Sequence, residues 1–493
     1  MYKADLSTPR RQNLLGLIVL LANSIRKIGW NILPLLIYAL IKEDFYANNK
    51  LLIISAICVI LILLVIHSIL FYLNFLFSIE NNDFVLRRGY INKKTIRIPL
   101  DKIQTVNTKQ NLLQQILNVV SLEVDTAGSS VKEVSITALR RTEADIIKRA
   151  LIEHKNENTD ETDEKTTDKN NLIKLSPSDL IKIAFSENIL KTGLLVMLTI
   201  YSVYSQYREY INRYFAREIN DFENQLNTIN YTAIAILLVL FIVLSIVATI
   251  IKTFIIYYDL SLIKTEKGFE LKCGLLNRKN NIVPKHKIQL LKYSFNPIKK
   301  LFDIVSVTMK QASPNDVKEK QSLKIPGCSN RINNSVIEYI FESYSNSHFT
   351  THFTAKYYFI RNWIWLSFPV AIAIQFLPEI SQYTLAFIGI FGWFIPCTIA
   401  IWLSSKKRNF SISDDIISIQ SGSLGTTITL IELHKIQSVK YRQSVFQKRR
   451  KLASIKVVTA SESISIPFID QQIASELYNY ILYKIESSNK NWM

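Results

Sequence analysis

Few residues in this chain have the type and spacing for chemistry. His348 and His352 are four apart, a spacing that sets two imidazoles on one helical face to hold a metal ion. The intervening Phe349-Thr350-Thr351 favours a strand and no third ligand is near, so the segment reads as a linker before an apolar run. His67 sits inside an apolar run, where an imidazole either packs against another helix or marks a polar pathway. His286 and His434 each precede a repeated lysine, but Asp101 holds that place in the remaining copy. A catalytic imidazole would not be exchanged for a carboxylate, so both read as solvent-facing. Cys58 and Cys397 lie in apolar runs, and Cys273 and Cys328 lack Cys-x-x-Cys spacing, which suits reduced thiols and excludes a disulfide scaffold or zinc ribbon. Gly-x-x-x-x-Gly-Lys is absent, which excludes a phosphate-binding loop of the ATPase kind. No acid, base, nucleophile or metal set converges. The chain is therefore expected not to be an enzyme, with no catalytic, cofactor or metal residue assigned.

What does recur is Lys102-Ile103-Gln104, Lys287-Ile288-Gln289 and Lys435-Ile436-Gln437. Each lysine follows a glycine by 13 residues (Gly89, Gly274, Gly422) and precedes an alanine by 25 (Ala127, Ala312, Ala460). A shared 38-residue frame in three places is an internal repeat. Structurally, the isoleucine faces a core while lysine and glutamine flank it. Functionally, the lysine meets lipid phosphate or an acidic partner. A sharper binding candidate is Lys448-Arg449-Arg450-Lys451, with Lys299-Lys300 in the equivalent region of the second copy. Such clusters gain about 1 kcal/mol per charge near an anionic membrane surface.

The elements that position these residues alternate between apolar and polar. A net charge of +19 suits nucleic acid in a soluble protein or the cytoplasmic leaflet in a membrane protein. Six apolar runs select the second and argue against nucleic acid. They pair as Ile28–Ile41 with Leu51–Phe71, Ile189–Tyr204 with Tyr231–Ile256, and Ile360–Leu377 with Tyr383–Leu403. Asn13–Lys27 and Ser176–Phe185 read as helices in the headgroup plane. Lys406-Lys407-Arg408 and Arg87-Arg88 flank the repeats, whereas the connections Lys42–Lys50, Tyr207–Ile229 and Pro378–Gln382 are not basic. Positive charge on the inner side places the repeats and both termini in the cytoplasm. The expected division is 1–76 (interfacial helix and first hairpin), 77–153 (first repeat), 154–172 (acidic flexible linker), 173–256 (second hairpin), 257–344 (second repeat), 345–408 (third hairpin) and 409–486 (third repeat).

In the third repeat β-branched runs predict strands at Asp415–Ser421, Thr426–Leu433, Ile436–Tyr441, Ile455–Thr459 and Ser463–Phe468. Asp470 then caps an amphipathic helix through Glu486. The second repeat ends in a helix predicted near Ser335–Phe341, and in the first a helix starts near Thr142. Short strands followed by one helix suggest a small bent sheet or barrel, its open end covered by the helix.

This pattern resembles the bacterial membrane-flanked PH-like domain family, YdbT type, over essentially the whole chain. The resemblance is carried by Arg97-Ile98-Pro99-Leu100-Asp101-Lys102-Ile103-Gln104, Val283-Pro284-Lys285-His286-Lys287-Ile288-Gln289 and Leu430-Ile431-Glu432-Leu433-His434-Lys435-Ile436-Gln437. The third copy departs, with Glu432 where the others have Pro99 and Pro284. The resemblance implies six transmembrane helices in three hairpins and three cytoplasmic, seven-stranded PH-like β-barrels, each with a C-terminal helix. It also implies a small one-domain YdbS-type partner and protection against membrane-active bacteriocins, but no chemistry. The expected function is protein or lipid-headgroup interaction at the bacterial cytoplasmic membrane, through anionic lipids and either that partner or a homo-oligomer. A permease or export channel with PH-like gating modules is the alternative.

Overall fold

The long helices are inserted between paired antiparallel strands: Glu43–Leu73 in the first repeat, Ile189–Asn227 and Tyr231–Tyr257 in the second, and Tyr357–Gln375 and Thr384–Lys407 in the third. The computed structural model describes residues 7–27, 43–126, 134–153, 171–227, 231–266, 268–312, 322–344, 348–375 and 384–487. In the first repeat β1 (Arg10–Arg11) pairs antiparallel with β2 (Leu76–Glu80), with the helix Glu43–Leu73 lying between them in the chain. β3 (Asp83–Arg88) and β4 (Lys94–Pro99) complete a four-stranded sheet. β5 (Ile103–Gln110), β6 (Val119–Thr126) and β7 (Val134–Arg140) form a meander, followed by the helix Arg141–Glu153.

The plan repeats. The second copy has β8 (Asn171–Lys174), β9 (Ser261–Thr265), β10 (Gly268–Cys273), β11 (Arg278–Pro284), β12 (Ile288–Phe295), β13 (Ile304–Gln311), β14 (Ser322–Ser329) and the helix Asn330–Ile340. That helix starts five residues before the predicted Ser335, because Ser329 caps it by accepting from the Ile332 N–H. The third copy has β15 (Thr350–Phe353), β16 (Asn409–Ile412), β17 (Ile416–Ser421), β18 (Thr426–Glu432), β19 (Ile436–Arg442), β20 (Leu452–Thr459), β21 (Ser463–Asp470) and the helix Gln471–Ser487. The short strands β1, β8 and β15 give little sequence signal.

Alternation buries one face of each sheet. In the first repeat Phe77, Phe84 and Leu86 meet Leu122, Val124 and Ile136, and Ile147 and Leu151 from the helix close the cluster. In the third, Ile417 and Ile431 meet Ile455, Val457 and Ile466 under Leu477 and Ile481.

Among the described residues the strands do not close into the expected barrels, and each copy has seven strands, divided as four and three between different sheets. The first meander continues into the second copy, in the order β7-β6-β5-β11-β10-β9-β8, and the second continues into the third, in the order β14-β13-β12-β18-β17-β16-β15. A barrel satisfies its edge groups by closing on itself; here the neighbouring repeat satisfies them instead. The chain folds as two compact units, Met1–Lys264 with Glu270–Ile282 and Thr265–Phe269 with Val283–Met493. The first holds the β5–β11 pairing and the second the β12–β18 pairing.

Of the six predicted spans, two fall on helices long and apolar enough to cross a bilayer among the described residues, Lys50–Leu73 and Leu238–Tyr257. The helix Pro177–Ser186, capped by Ser176, joins Ile189–Arg208 at an 81° bend, and together they make a third candidate. Leu180, Ile183 and Ala184 of the first of these helices are buried, so it is packed on protein as well as amphipathic. The first predicted span falls on 28–42, outside the described residues, as does most of the acidic linker. The third pair coincides with the helices Tyr357–Gln375 and Thr384–Lys407. Their side chains are described only over 357–370 and 391–407, stretches shorter than the roughly 20 residues of a span. The second pair packs closely at Gly193, where an added Cβ would lie 2.6 Å from that of Ser245.

The frame glycines form the turns β3–β4, β10–β11 and β17–β18. Their φ angles are +95°, +111° and +138°, and an added Cβ would lie 2.1–2.2 Å from the carbonyl oxygen three residues on. These turns sit against the ends of the preceding helices. The Leu275 N–H donates to Ile255 O (3.0 Å), Lys407 Nζ donates to Leu424 O (2.9 Å), and Tyr90 Oη bonds His67 Nδ1 (2.9 Å). Gly422→Ala is expected to cost about 1–3 kcal/mol, read as a lower thermal midpoint of the full chain. Gly392→Ala, inside the helix Thr384–Lys407 with nothing within 4 Å of the added Cβ, is the control and should hold or slightly raise the midpoint.

Candidate functional site

Each motif closes a 3-10 turn, Leu100–Lys102, Lys285–Lys287 or Leu433–Lys435, and its isoleucine starts the following strand. Ile103, Ile288 and Ile436 are buried at 4%, 1% and 2% exposure, as the structural reading expects. The flanking residues diverge. Lys102 is exposed and Lys287 half-buried, whereas Lys435 is buried. Its Nζ donates to Ile288 O (2.8 Å) and pairs with Glu432 (2.5 Å). The lysine of the third copy therefore grips the motif of the second, which corrects the lipid-phosphate reading at that position. Glu432, standing where the other copies carry proline, supplies its counter-charge and also lies 3.8 Å from His434. Gln289 is buried and Gln437 exposed, and the Gln104 side chain lies outside those described. The frame alanine is explained in the second copy, where the Ala312 N–H donates to Lys287 O (3.1 Å).

Ten residues after each motif lysine comes a short helix: Leu112–Ile116, Pro297–Leu301 and Val445–Arg449. Asn111, Asn296 and Ser444 cap them. The third bears the basic cluster, and Lys448, Arg449, Arg450 and Lys451 are all exposed. Beside them Val445 and Phe446 are 69% and 78% exposed. Arg450 lies over the Tyr357 ring at 4.0 Å, at the start of the helix Tyr357–Gln375. The second copy differs from expectation. Lys299 is buried, donating to Ser306 Oγ and to Pro326 O (3.3 Å), so it cannot reach a headgroup. Lys300 is exposed, with its ammonium over Phe295 at 4.8 Å. A lysine pair does not reveal in sequence which member turns inward.

A second link between copies was not legible. Glu462, beside β21, pairs with Lys292 of β12 and Lys310 of β13. Burial alone would raise its carboxyl, but the two ammonium groups outweigh that and hold it below the usual carboxylate range. In the first unit a cleft of 680 Å³ combines Arg141 and Lys148 of one copy with Lys272, Arg278 and Lys279 of the next. It gave no sequence signal because its charges are some 130 residues apart in the chain.

The remaining candidates show no reactive geometry. His352 lies in β15 with its ring stacked on Phe410 at 5.2 Å, so it shares no helical face with His348. Among the described residues no group of three His, Cys, Asp or Glu could hold a metal. Burial pushes the Cys328 thiol up to about 12, and a protonated thiol is a poor nucleophile.

Lys435→Met removes the donor to Ile288 O and should cost about 1–3 kcal/mol, whereas Lys102→Met should stay within about 0.5 kcal/mol; thermal unfolding of the full chain compares them. A carboxyl held low in the fold stabilises above its unfolded pKa, and that stability is lost as pH falls through the folded value. Glu462→Gln should therefore lower the thermal midpoint at pH 7, and its difference from the native chain should shrink on acidification below the ordinary carboxylate range.

A Bacterial PH domain profile matches residues 25–155, 194–337 and 368–485. The chain is 25% identical over 454 residues to the UPF0699 transmembrane protein YdbT of Bacillus subtilis (strain 168), spanning 87% of this chain and 89% of that protein. It is also 25% identical over 118 residues to the UPF0699 transmembrane protein YdbS of the same organism, 23% of this chain and 74% of that protein. Each profile match contains one Lys-Ile-Gln motif, and together they cover most of the sequence. The chain therefore belongs to the bacterial PH domain family, as a YdbT-like protein carrying three copies.

Proposed function

We propose that this is a non-enzymatic, six-span protein of the bacterial cytoplasmic membrane, with termini and PH-like modules on the cytoplasmic side. The modules bind lipid headgroups and a second membrane protein. The observation that carries the lipid half is the tip of the third module. Exposed Val445 and Phe446 stand beside four exposed basic residues, Lys448 to Lys451, in contact with the start of an apolar helix. Apolar side chains entering the acyl boundary and cations held at the phosphates are the two parts of interfacial binding. The protein half is supported by the similarity to both YdbT and the smaller YdbS, and the partner is a YdbS-like chain. The cellular outcome is protection of the envelope against membrane-active bacteriocins, which unchanged sensitivity of a deletion strain would refute.

Two measurements test the site. A polarity-sensitive dye at Phe446→Cys in the full chain should shift to the blue in vesicles containing phosphatidylglycerol, relative to phosphatidylcholine alone. Replacing Lys448, Arg449, Arg450 and Lys451 by glutamine should abolish that difference; if the dye reports water in both vesicles, the lipid reading fails. For orientation, single cysteines at Asn48 and Arg450 should label from opposite sides of the membrane. Labelling of both from outside intact cells would reverse the topology.

A further inference from the structure

The two internal junctions are built alike. Gln110 and Arg278, which face each other, stand 8 after Lys102 and 9 before Lys287. Leu291 and Leu430, facing each other in the next junction, stand 4 after Lys287 and 5 before Lys435. In both, residue +n from one motif lysine meets residue −(n+1) from the next. Three strands of the β4 kind (β4, β11, β18) serve only two junctions, so β4 ends its sheet among the described residues.

The sequence of β4 does not mark it as a protected edge. Charged residues usually protect such strands, but Lys93 and Lys94 occupy the places of Arg278 and Lys279 in β11, which is paired. Ile98-Pro99 likewise matches Val283-Pro284. Thr95 and Arg97 are exposed where Asn280 and Ile282 are half-buried, and Pro99 is half-buried where Pro284 is buried. β4 has the form of a junction strand without its partner.

The chain's own spare strand of the complementary kind, β19, has the wrong chemistry. In the first junction Asn107 Oδ1 accepts from the Ile282 N–H (2.9 Å), and Glu123 holds Lys109 (2.7 Å) where that lysine faces Lys279. The second junction forms with Lys292 and Thr308 at the places of Asn107 and Glu123, but there the facing residues are uncharged, Ser294 against Thr427. In the third copy Lys440 stands at the place of Asn107 and Lys456 at that of Glu123. A second copy docking in the shared register would set Arg442 opposite Lys94, with neither acceptor nor carboxylate to relieve them. Like charges directly opposite are destabilising.

We propose that β4 is a docking edge for a different chain of the same module, entering as a β5-like strand with a carboxylate at the place of Glu123 to relieve the cations that face each other across the join. This deepens, and rests on, the protein-binding half of the function proposed above. The Phe446→Cys vesicle measurement reads the lipid half separately.

The test rebuilds the missing chemistry in β19 and uses this chain as the probe. Full chain carrying Thr95→Cys is mixed in detergent with full chain carrying Tyr441→Cys, the residue opposite Thr95 in the shared register. Disulfide-linked dimer is then quantified, with the native cysteines alone as background. Lys440→Asn with Lys456→Glu in the second population should raise the yield at least tenfold. Arg97→Pro in the first should return it to background, by deleting the N–H equivalent to the one Ile282 gives to Asn107 across the first junction. Circular dichroism and the thermal midpoint confirm that every variant is folded. Equal yield with the native β19 would make a second copy the occupant and overturn the proposal. No gain in the folded Lys440→Asn, Lys456→Glu protein, or a gain that survives Arg97→Pro, would show that β4 is not a pairing edge.

Discussion

A three-stranded meander has two edges of unpaired N–H and C=O groups, and most of this architecture follows from how the next copy fills one of them, at β5 and at β12. The first sheet of one copy continues the second sheet of the copy before it, so folding of each module is tied to its neighbour. The register is set by the motif turn, which places the buried isoleucine and starts the strand. Side chains reinforce the join. Lys435 reaches the carbonyl of Ile288, and Glu462 gathers Lys292 and Lys310. A one-residue slip would turn every side chain of a strand to the other face, so these bonds and the hydrophobic alternation select the same pairing.

The long helices meet this β framework at two fixed points. One is the two-stranded ribbon from which each pair departs, and the other is the glycine turn pressed against the end of the returning helix. The second explains why the frame begins with glycine. The chain must reverse tightly there, at a φ angle other residues avoid, while staying within hydrogen-bonding reach of a helix terminus. His67 belongs to this contact through Tyr90.

Much of the repeat was legible in the sequence because its determinants are local. Isoleucine announces β17 and a β-branched run announces β20, glycine announces the turns, and Asp470 precedes the last helix. What was not legible depends on partners distant in the chain. β1, β8 and β15 are two to four residues long and exist because β2, β9 and β16 lie alongside. Lys299 turns inward because Ser306 and Pro326 offer it oxygens, while its neighbour Lys300 does not. The seven strands could be counted from the family resemblance, but their division between sheets could not, because adjacent copies compete with self-closure for the same edge. The basic cluster at Lys448–Lys451 was visible as composition, whereas its exposed apolar neighbours needed the fold.

The ribbons that carry the helical pairs have a mechanical consequence. Phe353 is paired with Asn409, and from that same end of the β15–β16 ribbon the two helices depart. Spreading the helices sideways therefore loads the rungs one after another, as a zipper opens, and four short rungs resist such peeling weakly. Force directed along the strands would load all rungs together and meet far greater resistance. A sideways load on the helices would thus be felt first at β15, the outermost strand of its sheet, leaving the buried cores behind it unloaded.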